Sequence, residues 1–285
     1  MRIAFFGTPQ LCIPILEALS SAGYTPVLIV TAPDRSVGRK QILTEPPVKT
    51  WGTEHSIPVV QPEKLRGFEE VFEDHNIDIS LVVAYGKIIP RSVITTPKYD
   101  TLNIHYSLLP RWRGASPVEA ALLAGDEKTG VCVQRMVYEL DAGDVLATEE
   151  VVINDSETTP ELRNRLNTIG AQLLVDTLPK YINDEITSQP QNTDEVTTCG
   201  LIKKSDGEIQ LTDSDEEKWR KYRAYYGWPG IFYFDENGKR VKITQARFDN
   251  KVNGEARKGA LGYGKFIIEK IIPEGKKEQP YSKQA

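Results

Sequence analysis

Asn103, His105 and Asp141 are the residues whose types and spacing could do chemistry together. Read as an extended strand, Thr101-Leu102-Asn103-Ile104-His105 alternates its side chains, so Asn103 and His105 share one face and Leu102 and Ile104 the other. Ser107-Leu108-Leu109-Pro110-Arg111-Trp112-Arg113-Gly114 follows, a run bounded by Pro and Gly that reads as a loop with a helix start behind it. Asp141 sits in the turn Leu140-Asp141-Ala142-Gly143-Asp144, after the strand-like Gly130-Val131-Cys132-Val133-Gln134-Arg135-Met136-Val137. A hydrogen-bond donor, a titratable base and an anion able to orient it are the minimum set for acyl transfer to an amine. Each also has a structural reading when taken singly: a histidine that packs at a strand end, an asparagine that satisfies a turn, an aspartate that caps one.

The elements that must position these groups read as an α/β, doubly wound, mostly parallel sheet. Arg2–Gly7 is a buried strand, Leu11–Ala22 a helix ending at Gly23 and Pro26–Thr31 the next strand, which together make a βαβ unit. Gly7-Thr8-Pro9 is no dinucleotide fingerprint, because Gly-x-Gly-x-x-Gly is absent, and this argues against a nicotinamide cofactor. Residues 33–49 show no helical or strand period and read as a functional loop carrying Arg35, Arg39, Lys40 and Lys49. Val48–His55 and Glu63–His75 are expected helices around a short strand at Val59-Val60, with His55 and His75 on the surface. The apolar Ile79–Tyr85 is a central strand whose end lies at a carboxyl edge of the sheet, where such folds bind ligands. Pro117 suits the first turn of a helix over Ser116–Ala124. Ala147–Ile153 is a strand, and Thr159–Ile182 a long helix expected to break at Gly170. Residues 184–200 turn polar, as linkers do, and divide a domain over 1–183 from one over 201–285. The second domain reads as a basic-aromatic helix at Glu216–Tyr226. Strands at Ile231–Phe234, Arg240–Ala246, Gly259–Leu261 and Phe266–Ile272 then form a small barrel, with a hairpin turn at Glu236-Asn237-Gly238-Lys239.

Composition narrows the class. The chain has 285 residues, 40% of them hydrophobic. It contains no apolar run long enough to span a bilayer, and its start reads as a strand rather than a signal peptide. Cys12, Cys132 and Cys199 are scattered, form no metal-ligand spacing and suit a reducing cytosol, so the expected location is cytoplasmic and the expected metal is none. Net charge is -5. It is unevenly shared: residues 200–285 hold 18 Lys and Arg against 13 Asp and Glu, a balance of +5. That part either tracks a polyanion or is a solvated charged surface.

Asn103-x-His105-x-Ser107-Leu108-Leu109-Pro110, Arg113-Gly114 and Leu140-Asp141-Ala142-Gly143-Asp144 together resemble the signature of the folate-dependent formyltransferases. Phe6-Gly7-Thr8-Pro9, Pro33-Asp34-Arg35, Gly38-Arg39, Pro47-Val48-Lys49, Val82-Val83-Ala84-Tyr85-Gly86 and Trp228-Pro229-Gly230 fall in the order that family has, across nearly the whole chain. The likeness is greatest to members that act on methionyl-tRNA. It implies a Rossmann-like catalytic domain followed by an OB-like tRNA-binding β-barrel. The chain ends at Ala285, where relatives carry a further helix. N10-formyltetrahydrofolate is the implied co-substrate and initiator methionyl-tRNA the implied partner, with an amino-sugar nucleotide as the alternative acceptor and a monomer as the expected state. By the same resemblance Asn103, His105 and Asp141 are catalytic, while Ser107, Leu108, Leu109, Pro110, Lys87, Ile88 and Ile89 line the folate site. Arg39, Lys40, Lys49, Arg111 and Arg113 are the implied tRNA contacts, although Arg111-Trp112-Arg113 reads equally as a clamp on its own loop. Gly38-Arg39-Lys40-Gln41-Ile42 departs from the family's Gly-Arg-Gly-Lys-Lys, and Gln210-Leu211 from its Asp-Trp.

Overall fold

The computed structural model describes residues 1–38, 41–249, 251–252, 255–256 and 264–282. Its contacts form two compact units: Met1–Arg113, Gly130–Glu150 and Asn164–Thr198 make the first, and Gly114–Thr129, Val151–Arg163 and Cys199–Ala285 the second.

Seven strands form the main sheet: β1 (Ile3–Gly7), β2 (Leu28–Val30), β3 (Val59–Val60), β4 (Ile79–Val83), β5 (Thr101–His105), β6 (Lys128–Arg135) and β7 (Val145–Val152). They lie in the order β7-β6-β5-β4-β1-β2-β3. β1, β2 and β4 are buried along their whole length and apolar but for Ser80, as strands covered on both faces must be. β1 pairs parallel with β2 and β4, β2 with β3 and β4 with β5, whereas β6 returns antiparallel to β5. The order reverses beside β1, so the carboxyl ends of β1 and β4 flank the switch point where open α/β sheets bind ligands. Backbones crowd there: a Cβ on Gly7 would stand 2.8 Å from Cys12 Sγ and 3.1 Å from the Val83 carbonyl oxygen. One core cluster of the sheet centres on Phe6, whose ring meets Phe68, Phe72 and Tyr85 edge-on at 6.0, 5.9 and 5.3 Å.

Several expectations change. Only Glu69–Asp74 of the expected 63–75 helix is α-helical, because Gly67 takes a left-handed backbone (φ 75°) that no α-helix contains. The 33–49 loop carries a two-stranded hairpin, Arg35–Val37 with Ile42–Thr44, before a helix begins at Pro47. Helix Thr159–Ile182 is continuous. Gly170 does not interrupt it: a Cβ there would sit 3.0 Å from Val131 Cγ2 and 3.3 Å from Ile104 Cγ2, so this glycine lets the helix lie close on the sheet. Residues 184–198, expected as linker, pair with the first unit's sheet edge through Val145 and Gln189, whose backbones exchange hydrogen bonds of 2.9 and 2.8 Å.

In the second unit, helix Asp215–Ala224 starts in a Ser214/Glu217 capping box. Trp219 on that helix stacks on Tyr222 and Phe248 with centroids 5.4 and 5.8 Å apart. Its sheet runs β8 (Ile231–Phe234), β9 (Arg240–Asp249), β10 (Lys265–Pro273) and β11 (Gln279–Pro280), all antiparallel. Gly238 supplies the positive φ of 71° at the β8–β9 turn. The strand expected at 259–261 lies outside the described residues.

Candidate active site

Two neighbouring strands and the turn that leaves the second build the site. On β5 the alternation places Asn103 and His105 on one face, and the antiparallel return of β6 sets Gln134 opposite Asn103 and Cys132 opposite His105. The turn leaving β6 then carries Asp141 back over that face. His105 Nδ1 stands 3.6 Å from Asp141 Oδ2, with His105 only 5% exposed. Asp141 Oδ1 accepts from Gln134 Nε2 at 3.0 Å. Asp141 itself has a left-handed backbone, φ 49°, and Gly143 fits because a Cβ there would enter the Arg135 carbonyl.

The imidazole's second nitrogen decides its tautomer. His105 Nε2 lies 2.9 Å from the Trp112 carbonyl oxygen. A carbonyl only accepts, so Nε2 carries the hydrogen and Nδ1 is the nitrogen that gains or loses a proton. At 3.6 Å the Nδ1–Asp141 gap exceeds a hydrogen bond, but it is an ion-pair distance once Nδ1 is protonated. Trp112, held at φ 62°, thus orients the ring through its backbone, while Asp141 supplies the countercharge. The Asn103 side chain is half-buried and has no hydrogen-bond partner among the described residues, which leaves its amide free to meet an incoming oxygen.

The expected folate contacts divide. Ser107 is fully buried and its hydroxyl donates to the Arg111 carbonyl at 2.5 Å, which braces the loop. Leu108, Leu109 and Pro110 are half-buried. Leu108 packs over Gly130, where a Cβ would come 2.5 Å from Leu108 Cδ2. Cys132 Sγ donates to the Ser107 carbonyl at 3.1 Å. Burial pushes that thiol's pKa up, which suits a core group and not a nucleophile. Ile88 is 84% exposed, Ile89 belongs to the core cluster, and Lys87 Nζ donates to the Pro62 and Glu63 carbonyls at 2.7 and 3.3 Å.

Among the expected tRNA contacts, Arg39 and Lys40 lie outside the described residues. Lys49 Nζ is held at 2.8 Å by both Asp34 and Glu45, and hydrogen bonds to those carboxylates push its pKa up. The Arg111 guanidinium stacks over the Trp112 ring at 4.4 Å, and Arg113 Nε donates to Gln191 Oε1 at 2.9 Å. Among the described residues no group of three or more His, Cys, Asp or Glu could hold a metal ion. Sequence reasoning missed the Trp112 carbonyl, Gln134 and Gln191. The strand alternation places Gln134 on the Cys132 face, but nothing local names its partner, and Gln191 carries no signal beyond the polar composition of residues 184–200.

A doubly wound sheet bearing an amide donor, a buried imidazole and a nearby carboxylate has the groups that passing an acyl group to an amine requires. The family model described as Formyl transferase matches residues 1–178, and that of the Formyl transferase C-terminal domain matches residues 201–282. The chain belongs to the formyl transferase family. It is 41% identical over 250 residues to a methionyl-tRNA formyltransferase of Sulfurihydrogenibium, covering 87% of this chain and 80% of that protein. It is 40% identical over 277 residues to a methionyl-tRNA formyltransferase of Listeria monocytogenes, covering 96% and 88%. Its fold matches the N-formyltransferase of Helicobacter canadensis, solved with folinic acid and dTDP-3-aminofucose, with a TM-score of 0.70 at 16% identity over 94% of this chain and 98% of that one.

Proposed function

We propose that this protein transfers a formyl group from N10-formyltetrahydrofolate to the amino group of initiator methionyl-tRNA, giving N-formylmethionyl-tRNA for translation initiation. The observation that carries it is the placing of the Asn103 amide, which has no hydrogen-bond partner among the described residues, on the same strand face as a buried His105 whose proton-accepting Nδ1 faces Asp141 at 3.6 Å. The identity to methionyl-tRNA formyltransferases over most of the chain supports this acceptor.

The donor supplies a formyl carbon on a tertiary nitrogen that can leave. The amine that attacks this carbon must lose a proton, and the oxygen must bear charge. Asn103 Nδ2 donates to that oxygen, the role for which a single donor is worth roughly 3 kcal/mol. Nδ1 of His105 takes up the amine proton, and Asp141 stabilises the resulting imidazolium across the gap that separates them. The same proton returns to the leaving nitrogen, so none is consumed. Leu108, Leu109 and Pro110, together with Ile88, offer apolar surface to a pterin, while Ser107, Lys87 and Ile89 hold the loops beneath it. Residues 1–183 serve as the catalytic domain, 184–200 as the connection and the basic 201–285 as the OB-like tRNA-binding domain, with Arg39, Lys40, Lys49, Arg111 and Arg113 as contacts to the acceptor end. The protein works as a cytoplasmic monomer.

Formylation of charged initiator methionyl-tRNA, elongator methionyl-tRNA and an amino-sugar nucleotide, each with N10-formyltetrahydrofolate, tests this. The initiator is expected to be the best substrate. Turnover on the sugar nucleotide alone refutes the proposal.

A further inference from the structure

Gln191 lies in the polar stretch that follows the long helix, yet its side chain makes three hydrogen bonds around Asp141 and Arg113. Nε2 donates to the carbonyl oxygens of Asp141 and Gly143 at 2.8 and 2.6 Å, and Oε1 accepts from Arg113 Nε at 2.9 Å. The amide's orientation is forced, because carbonyls only accept and a guanidinium only donates. The two carbonyls bracket a turn in which Asp141 holds a left-handed backbone that L residues adopt reluctantly, and in which Gly143 lies hard against Arg135. Gln134 and Asp144 also steady the turn through side chains: Gln134 grips the Asp141 carboxylate, and Asp144 binds Arg135 and Ser188. Gln191 grips its backbone.

We propose that Gln191 is a positioning residue that fixes Asp141 opposite His105 and ties it to Arg113, an inference that rests on the formyl-transfer reading above. A guanidinium drawn toward the acceptor end pulls on the same amide that sets the carboxylate, so acceptor binding and the placing of Asp141 are linked through one side chain. Without Gln191 the turn relaxes and the 3.6 Å Nδ1–Oδ2 spacing is no longer held. A displacement of about 1 Å in a reacting geometry costs on the order of 10²-fold in rate.

The test uses the full chain, with wild-type formylation of methionyl-tRNA measured first. Gln191→Glu keeps an acceptor for Arg113 but turns both donors into acceptors against the two carbonyls. It is expected to lower kcat about 10²-fold with the KM for methionyl-tRNA unchanged. Gln191→Leu removes both links, and the cavity of about 330 Å³ that Gln191 lines gives the leucine room. It is expected to lower kcat similarly and to raise that KM. In single-turnover reactions with excess enzyme, Gln191→Leu combined with Asp141→Asn is expected to be no slower than Asp141→Asn alone, because Gln191 acts through Asp141. Melting curves confirm that each variant is folded. Wild-type kcat in Gln191→Glu, or losses that multiply in the double variant, overturns the inference while formyl transfer stands. A wild-type chain that makes no formyl product overturns the formyl-transfer reading, and this inference with it.

Discussion

Replacing Asn103 by alanine separates chemistry from folding more cleanly than any other change at this site. Its amide has no hydrogen-bond partner among the described residues and the side chain is half-buried, so truncation strands no buried donor or acceptor and opens no closed cavity. The neighbouring Thr101, Leu102, Ile104 and His105 remain buried and keep β5 in register with β4 and β6. The stability cost should therefore fall within the roughly 0.5 kcal/mol typical of surface substitutions. The catalytic cost is of another size. One oxyanion donor is worth about 3 kcal/mol in acyl transfer; at about 1.4 kcal/mol per decade this is a fall of roughly 10²-fold in kcat. Because the interaction strengthens as the oxygen gains charge, kcat and kcat/KM should fall together while KM for the folate donor holds. Steady-state formylation with a thermal melt on the same preparation measures both. A kcat within about threefold of wild type, far below the 10²-fold that one such donor supplies, refutes the oxyanion role. A marked drop in melting temperature refutes the view that this amide is structurally idle.

His105→Ala should differ in kind. It removes a positioned base, a loss of about 10² to 10⁴ in rate, and it also removes the hydrogen bond from Nε2 to the Trp112 carbonyl, so a stability loss of about 0.5–1.5 kcal/mol accompanies it. A denaturant melt unchanged from wild type would contradict that hydrogen bond. Gly143→Ala drives a Cβ into the Arg135 carbonyl, so the turn must shift and carry Asp141 with it; kcat should fall by about 10²-fold, and an active, unshifted variant would show that the turn is not tight. Burial pushes the Cys12 thiol up to about 12 and raises Cys132 as well. Iodoacetamide near pH 8, close to the ordinary thiol value of about 8.5, should thus label half-buried Cys199 while sparing both until the chain unfolds. The native state keeps the Cys12 proton that the unfolded chain sheds above about pH 8.5, so this contribution to stability declines as pH rises from there toward 12. Early labelling of Cys12 in the native protein would contradict its burial.

Much of the framework was legible in local pattern. The apolar runs at Ile3–Gly7 and Ile79–Val83 are central strands, Pro117 opens a helix, and alternation alone places Asn103 and His105 on one face. These features depend on neighbours two to four residues apart, and the sequence states such neighbours directly. Gly67 and Gly170 were harder. A glycine permits a left-handed turn or a close approach of helix to sheet with equal ease, and only the surrounding packing decides which it does.

The residue types of the candidate site, and the strand face that two of them share, were thus determined by the sequence itself. The tertiary structure alone decided that β6 returns beside β5 with Gln134 opposite Asn103, that Asp141 comes within 3.6 Å of His105, that a backbone carbonyl at Trp112 fixes the imidazole's tautomer, and that Gln191 grips the Asp141 turn. Cross-strand register and contacts between residues dozens of positions apart are set by how whole surfaces pack, a sum over many weak contacts that no local spacing encodes.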